Sequence, residues 1–543
     1  YEITNNKYER IFNLKDNQKY KWVIRDNILF IYGISIYSFI EFITSIRIRC
    51  NIWFHNGSKF DFHFIIPMLM EFGYLYIPDF NNMEDFLKEN DRLKTRHNIL
   101  SDKVEKLNKK VWNTLNAYEF NTMTDGSKKI YKLQLVSREQ HYNYEKQKYN
   151  NVLINLRDSN LLFVGSLKSY GDKLNQIHNT TKYTKKELDY MREQPYNSIE
   201  ELEQDTQEFE YLLQDTFILL SFLKEMGSKK ELPRNQWHTT AAATAYSQWE
   251  RQFGEKYFKE HIKTKKNIKE NKNKYKLYWS EISQKWLEEH KWKKEVVKSI
   301  LPLKWLNIFL DDKNELMGTY LHRLFYNGGI TLVNEKYRGT YLENVDGFDI
   351  NSSYPSVMNS NDLCPIGEPF NKQEIDFNYY QLFEIEILKP ITNKNGLPFF
   401  VNFNNGEKIK KSKQYLKELK PKMKSYMDTN EFKRFLKYYS NDFSNFKVNV
   451  FATFNVKTMK DIFGDYVDKW YSLKQNSNDE LSKTIAKLML NSTYGKFGTK
   501  ILRDKKEFDM KICDWVNFET LENARFYLPI ATCITSLARC KII

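Results

Sequence analysis

The stretch Phe348-Asp-Ile-Asn-Ser-Ser-Tyr-Pro-Ser-Val-Met358 constrains this chain most. Val345 to Ile350 is short and largely apolar, and it predicts a strand that ends in one carboxylate, Asp349. Pro355 has no N–H to give to a ladder, but it suits the first turn of a helix. The predicted unit is strand, tight turn, helix. A carboxylate at such a junction can hold a divalent cation while turn amides face an anion. Alone, Asp349 reads as a turn or capping residue; its neighbours change that.

Upstream lies Tyr326-Asn-Gly-Gly329, where paired glycines admit close approach of another backbone. Downstream, Ser477-Asn-Asp-Glu480 has capping-box spacing and opens a helix that Gly495 is expected to end. At 3.6 residues per turn, Leu481, Ile485, Leu488 and Ser492 share one face, and Lys483, Lys487, Asn491 and Tyr494 share the opposite face. A stripe of two lysines, an amide and a phenol suits a triphosphate, with lysines on the phosphates and the ring under the base pair. A merely solvated face would mix Glu with Lys more often.

These three clusters, in this order, resemble the Tyr-x-Gly-Gly motif, motif A and motif B of family B DNA polymerases, specifically the protein-primed branch of small phages, linear plasmids and related mobile elements. The resemblance implies an α/β and α+β multidomain fold, with an RNase H-like 3′–5′ exonuclease domain followed by a right-hand polymerase. The expected boundaries are residues 1–230 for the exonuclease, 231–312 for a linker with a helical insertion, and 313–543 for palm and fingers. Two family-specific insertions fall at about 360–450, a region that grips a terminal protein, and at about 496–525.

By the same resemblance, Asp349 and the carbonyl of Ile350 are metal ligands. Asn351, Ser352, Tyr354, Lys483, Lys487, Asn491 and Tyr494 bind the nucleotide, with Lys487 offsetting charge on the α- and γ-phosphates and Tyr354 excluding a 2′-hydroxyl. Tyr326, Gly328, Gly329, Ser492 and Gly495 are expected to contact DNA. Nucleotidyl transfer uses two divalent ions, and hard oxygen ligands suit Mg²⁺, for which Mn²⁺ can substitute.

The amino-terminal third repeats the strand-to-helix logic. Asn51 to Phe54 reads as a strand, His55 to Lys59 as a turn, and Phe60-Asp61 as a helix start. Asp61 could simply cap that helix. Glu201 to Met226 predicts a helix with Tyr211 and Asp215 one turn apart on one face. Asn56-x-x-x-Phe60-Asp61 and Tyr211-x-x-x-Asp215 resemble the second and third exonuclease motifs of the family. Asp61 and Asp215 are then catalytic metal ligands, Tyr211 orients the attacking water, and Asn56, Phe60 and Ser159 touch the single strand. Ser159 reads equally as a turn residue. The family's first exonuclease motif, Asp-x-Glu, does not occur before Asn56, and the Asp-Thr-Asp of motif C does not occur after Gly495. Either the first exonuclease motif lies upstream of Tyr1 or the nuclease is inactive; truncation is the favoured expectation, and the chain reads as a piece of a longer protein.

Net charge is +15, from 84 Lys+Arg against 69 Asp+Glu, which suits a polyanionic partner, either nucleic acid or an anionic membrane surface. AT-rich coding composition accounts for the same excess in part. The five cysteines show no C-x-x-C or zinc spacing, so a reducing compartment fits. Asn27 to Ile46 carries Glu41 and three serines between flanking arginines, and reads as a buried strand and an amphipathic helix, not a membrane span. Glu84 to Asn108 has a helical pattern, and His261 to Lys276 is a dense basic run, either a solvated face or a phosphate-contacting strip.

The implied function is template-directed DNA synthesis with 3′–5′ proofreading for a viral, plasmid or mobile-element genome. The expected partners are primer-template DNA, dNTPs and a terminal protein, with no membrane. The expected location is intracellular, with the replicating element, in the host cytoplasm or in a mitochondrion. The alternatives are a non-catalytic DNA-binding remnant and an exonuclease-only protein.

Overall fold

The computed structural model describes residues 20–26, 28–46, 49–71, 75–76, 118–124, 129–143, 148–190, 194–265, 297–307, 317–333, 337–347, 349–350, 352–404, 407–408, 415–509, 514–521 and 523–543. The chain divides into two compact units, Tyr1–Thr240 with Arg503–Thr520, and Ala241–Leu502 with Leu521–Ile543.

The first unit opens with an antiparallel hairpin, β1 (Lys21–Arg25) and β2 (Ile28–Tyr32), and the helix α1 (Ile36–Ser45). The predicted strand-turn-helix follows as β3 (Cys50–Phe54) and α2 (Asp61–Glu71). A five-stranded sheet has β3 at one edge, then β7 (Lys148–Asp158), β6 (Ile130–Asn143), β5 (Tyr118–Thr124) and β4 (Leu75–Tyr76). Pairing is parallel between β3 and β7 and between β5 and β4, and antiparallel elsewhere. Ile40, Ile43, Phe62, Ile65, Leu69, Phe120, Leu133, Leu135, Ile154 and Leu156 close its core beneath α1 and α2. Each such side chain contributes about 1.5–3 kcal/mol on burial. Short helix α3 (Ser159–Leu162) and α4 (Leu167–His178) follow. The single helix expected over Glu201 to Met226 is two, α5 (Ile199–Gln204) and α6 (Thr206–Ser228), because the Asp205 side chain accepts from the Glu208 N–H and caps a new start.

The second unit begins with α7 (Ala241–Lys265), inside the stretch expected as a linker. Trp249 of α7 is fully buried, donates to the Ile462 carbonyl at 3.0 Å and packs against Phe463 and Phe497. The helix therefore belongs to the second unit, and the division between the units falls at Thr240/Ala241. Only the end of this helix overlaps the basic run, most of which, like Glu84 to Asn108, lies outside the described residues. After α8 (Met317–Arg323) and α9 (Ser353–Met358) comes a four-stranded antiparallel sheet. Its order is β10 (Lys424–Asp428), β9 (Tyr380–Ile387), β11 (Phe446–Thr458), β8 (Leu363–Phe370). The region expected as an insertion, about 360–450, supplies most of this sheet.

One sheet face is covered by the short ladders of 391–419 and by α10 (Thr429–Tyr438), through Phe383, Phe400, Phe432 and Phe435. Helices α11 (Met459–Asn476) and α12 (Glu480–Phe497) pack on each other and on α7. Strands β12 (Leu502–Asp509) and β13 (Asp514–Leu521) pair with each other, and from Arg503 to Thr520 they count with the first unit. The last helix, α13 (Leu528–Ile542), is buried from Leu528 through Cys540 and contacts α9, α10, α12 and β8. A helix buried all round belongs at the centre of its unit.

The strand expected over Val345 to Ile350 does not form. Val345 is 69% exposed and Ile350 44%, and no strand among the described residues pairs with them. Apolar residues become a strand only where a neighbouring backbone takes their hydrogen bonds. Asp349 consequently lies on an exposed, non-repetitive segment.

Candidate nucleotide and nucleic-acid sites

In the second unit, α12 carries the fingers-like stripe. Its amino-terminal cap is Asp479, which accepts from the Leu481 and Ser482 N–H groups. Ser477, the expected cap, instead accepts from the Asp479 N–H at 3.1 Å. The helix runs past Gly495 to Phe497, with Gly498 as its C-cap. Leu481, Ser482, Ile485, Ala486, Met489, Leu490, Thr493 and Phe497 are buried, whereas Lys487, Asn491 and Gly495 are exposed. Leu488 and Ser492, expected on the apolar face, are only half-buried. Lys483 forms an ion pair with Glu480 at 2.6 Å, so its ammonium is engaged along its own helix. Exposed i,i+3 pairs are worth a few tenths of a kcal/mol, and exchange for a phosphate is cheap.

The Tyr494 ring stacks on Tyr354 of α9, with centroids 3.9 Å apart and planes at 20°. Burial, together with Tyr354, pushes the Tyr494 phenol well above its ordinary value, so it stays protonated and hydrogen-bonding. Pro355 lies in the first turn of α9, as its missing N–H allows. Ser352, just before α9, is held in the left-handed region at φ 54° and accepts from the Lys474 ammonium at 3.1 Å. Lys474 in the last turn of α11 thus joins the site, although nothing in its local sequence announced it. Asn351 lies outside the described residues.

Tyr326 follows α8, and burial raises its phenol. The carbonyls of Asn327 and Gly328 both accept from Arg539 of α13, to Gly328 at 2.9 Å. A Cβ added at Gly329 or at Gly495 would meet none of the described residues within 4 Å. The packing of the described residues therefore does not require glycine at either place.

In the first unit, Asp158 at the end of β7 is buried and organises the turn after β3. Its carboxylate accepts from Asn56 N–H at 2.8 Å, Ser58 N–H at 3.1 Å and Asn160 N–H at 2.8 Å. Asn56 takes φ 66°, the left-handed region that Asn tolerates. The turn delivers Phe60, 58% exposed, and Phe64, 62% exposed, one helical turn apart. Asp61 opens α2, and partial burial, then the Asp158 charge, raise its carboxyl above the ordinary value. Ser159 is fully buried, and its hydroxyl lies 3.1 Å from His55 Nδ1.

Lys185 donates to Tyr211 Oη at 3.0 Å and to Asp215 Oδ2 at 3.1 Å. Burial pulls its pKa down, but the hydrogen bonds to Tyr211 and Asp215 reverse this and leave it raised. The other carboxylate oxygen, Asp215 Oδ1, is buried with no partner among the described residues. A buried, unpaired carboxylate oxygen is costly, and a hard cation would satisfy it. Among the described residues, no three His, Cys, Asp or Glu side chains are grouped to hold a metal ion. Lys185 escaped sequence reading because its link to Asp215 spans thirty residues. Asp158 was legible in principle, as a second carboxylate ending an apolar strand.

The two units define a class, a mixed α/β unit and an α+β unit built on a four-stranded antiparallel sheet. The family model for DNA polymerase type B, organellar and viral, matches residues 46–539, and the chain belongs to that family. It is 32% identical over 225 residues to the DNA polymerase of Streptococcus phage Cp-1, over 38% of this chain and 38% of that protein. It is 29% identical over 179 residues to the DNA polymerase of Bacillus phage phi29, over 33% of this chain and 30% of that protein. The chain thus aligns with well under half the length of these curated relatives. Its fold is similar to phi29 DNA polymerase solved with primer-template DNA and incoming nucleotide, with TM-score 0.59, 18% identity, and coverage of 94% of this chain and 70% of that one.

Proposed function

We propose that the chain works in template-directed DNA synthesis, adding dNTPs to a 3′-hydroxyl or to a protein-primer hydroxyl. The observation that carries this reading is the α12 face. Lys487 and Asn491 are exposed on it, and Tyr494 is stacked on Tyr354 beside Ser352 and Lys474. Lysines at 474, 483 and 487 would neutralise the triphosphate. The Tyr354–Tyr494 pair would form the floor under sugar and base, and the unfilled space at Gly329 and Gly495 would admit DNA backbone.

Carboxylate oxygens are the hard donors that a divalent cation such as Mg²⁺ or Mn²⁺ takes. Asp349 would be one ligand for nucleotidyl transfer. Asp215, with its unpaired oxygen, and Asp61 would be ligands for 3′–5′ hydrolysis in the first unit. Such ions lower the pKa of a bound hydroxyl and clamp phosphate oxygens. There Lys185 would hold Tyr211 and Asp215 in place, while Phe60 and Phe64 would stack on an unpaired 3′ end. A terminal protein is the proposed primer, and the proposed location is inside the cell with the replicating element. No helix among the described residues is long and apolar enough to cross a membrane.

The test is fluorescence anisotropy with primer-template DNA across a salt series, with and without the templated dNTP. The reading expects affinity to fall steeply with salt and to tighten with the correct dNTP only. Salt-independent binding, or equal tightening by all four dNTPs, would contradict it.

A further inference from the structure

Arg323 ends α8, three residues before Tyr326. Its Nη2 donates to the carbonyls of Gly498 at 3.3 Å and Thr499 at 2.6 Å, the first carbonyls beyond α12. Gly498 is the C-cap of α12, and its carbonyl is one that a helix end leaves without an intrahelical partner; Thr499 follows it. Arg323 is largely buried, its hydrogen bonds go to carbonyls and not to a carboxylate, and its Nε–H has no acceptor among the described residues. An arginine held this way contributes little by ion pairing, and its position serves the helix end. The Tyr326 ring lies against the same spot, 5.9 Å from the Arg323 guanidinium. A Cβ built on Gly498 would stand 2.4 Å from Tyr326 Oη and 2.8 Å from Cζ. The end of the helix that carries Lys487, Asn491 and Tyr494 is therefore seated against the tyrosine that opens the Tyr-x-Gly-Gly loop.

We infer that Arg323 and Gly498 are positioning residues that couple the loop Tyr326–Gly329 to the nucleotide-facing helix α12, Arg323 by capping the helix end and Gly498 by leaving space for the Tyr326 ring. The inference rests on the polymerase reading above. The two residues act on opposite sides of the contact. The loop has a second anchor in Arg539, which holds the Asn327 and Gly328 carbonyls. Loss of Arg323 therefore falls on the helix, and bulk at Gly498 falls on Tyr326.

The test compares Arg323→Met, Arg323→Lys and Gly498→Val in the full-length protein. Arg323→Met should raise the KM for dNTP about tenfold, the loss of roughly one charge-assisted hydrogen bond, and change the primer-template Kd less than twofold. Arg323→Lys should recover part of the KM. Gly498→Val should weaken primer-template binding about tenfold and move the dNTP KM less. A parallel loss of both properties in both variants, as a general destabilisation would give, overturns the inference. Hydrogen exchange follows the contact without activity. Arg323→Met should speed exchange at the amides of 496–499 and leave 327–329 protected, and equal acceleration in both stretches, or in neither, overturns it. Unsubstituted protein that neither binds primer-template nor adds dNTP would instead retire the polymerase reading, and the exchange result would still decide the contact.

Discussion

Arg539→Met is the sharpest perturbation of the second unit. Arg539 and Glu431 side chains are 2% and 5% exposed, and Arg539 reaches one Glu431 oxygen with Nε at 3.0 Å and Nη2 at 2.7 Å. Its remaining nitrogen holds the Asn327 and Gly328 carbonyls. Burial opposes the charge, but the Glu431 and Asp428 carboxylates more than compensate and raise the arginine's pKa. Removing one partner of a buried pair costs about 3–5 kcal/mol, because the other charge stays buried. At roughly 2–4 °C per kcal/mol for a unit of this size, Tm should fall by about 6–20 °C. Arg539→Met with Glu431→Leu should recover most of that stability, since apolar replacement of a buried pair is often neutral or better. It should not recover primer-template affinity, because the loop carbonyls still lack their donor. Urea denaturation of the four proteins of this cycle, with anisotropy on each, is the assay. A cost below about 1 kcal/mol for Arg539→Met, or a double variant that loses the sum of the two single losses, would refute the reasoning.

Other perturbations separate the sites. Lys487→Ala should raise the dNTP KM about 10–100-fold, one charge-assisted hydrogen bond, with primer-template Kd unchanged in titrations. Tyr354→Val should admit ribonucleotides in single-nucleotide insertion and also release the Tyr494 ring, lowering stability by about 0.5–1.5 kcal/mol. Asp61→Ala with Asp215→Ala should abolish 3′–5′ degradation of single-stranded DNA while nucleotide addition continues, as followed on gels with labelled primers. His55 has its pKa lowered by burial, with the Asp158 and Asp215 charges opposing. Its stabilising contribution is present above the unfolded value of 6.5 and is lost as pH falls through the lower folded value. Denaturation midpoints of the first unit should drop below that pH, and His55→Gln should flatten the drop.

What the sequence disclosed was mostly local. The polar stripe of α12 was visible because 3.6 periodicity needs only neighbours along one helix, and the strand and turn before Asp61 were visible for the same reason. The start of α12 was misplaced by two residues because Ser477 and Asp479 are both good caps, and the longer-reaching Asp479 takes the helix amides. Gly495 was expected to end the helix. It lies within it, at a cost of about 1 kcal/mol relative to Ala, with open space around its Cα. The strand at Val345 to Ile350 was misread because apolar composition says nothing about whether a partner strand exists. The contacts that assemble the sites, Lys185 with Asp215, Lys474 with Ser352 and Arg539 with Glu431, join residues from 30 to 122 positions apart. No periodic pattern encodes such pairs.

The central claim is that Asp349, with the α12 lysines, serves templated nucleotide addition. Single-turnover primer extension by the full-length protein, with Mg²⁺ and again with Mn²⁺, tests it directly when Asp349→Asn is run beside the unsubstituted protein. The account predicts addition of the dNTP complementary to the template base, abolished in Asp349→Asn while primer-template Kd stays within about twofold. Extension by Asp349→Asn at the unsubstituted rate, or no templated addition with either metal by a protein that binds primer-template tightly, would contradict it.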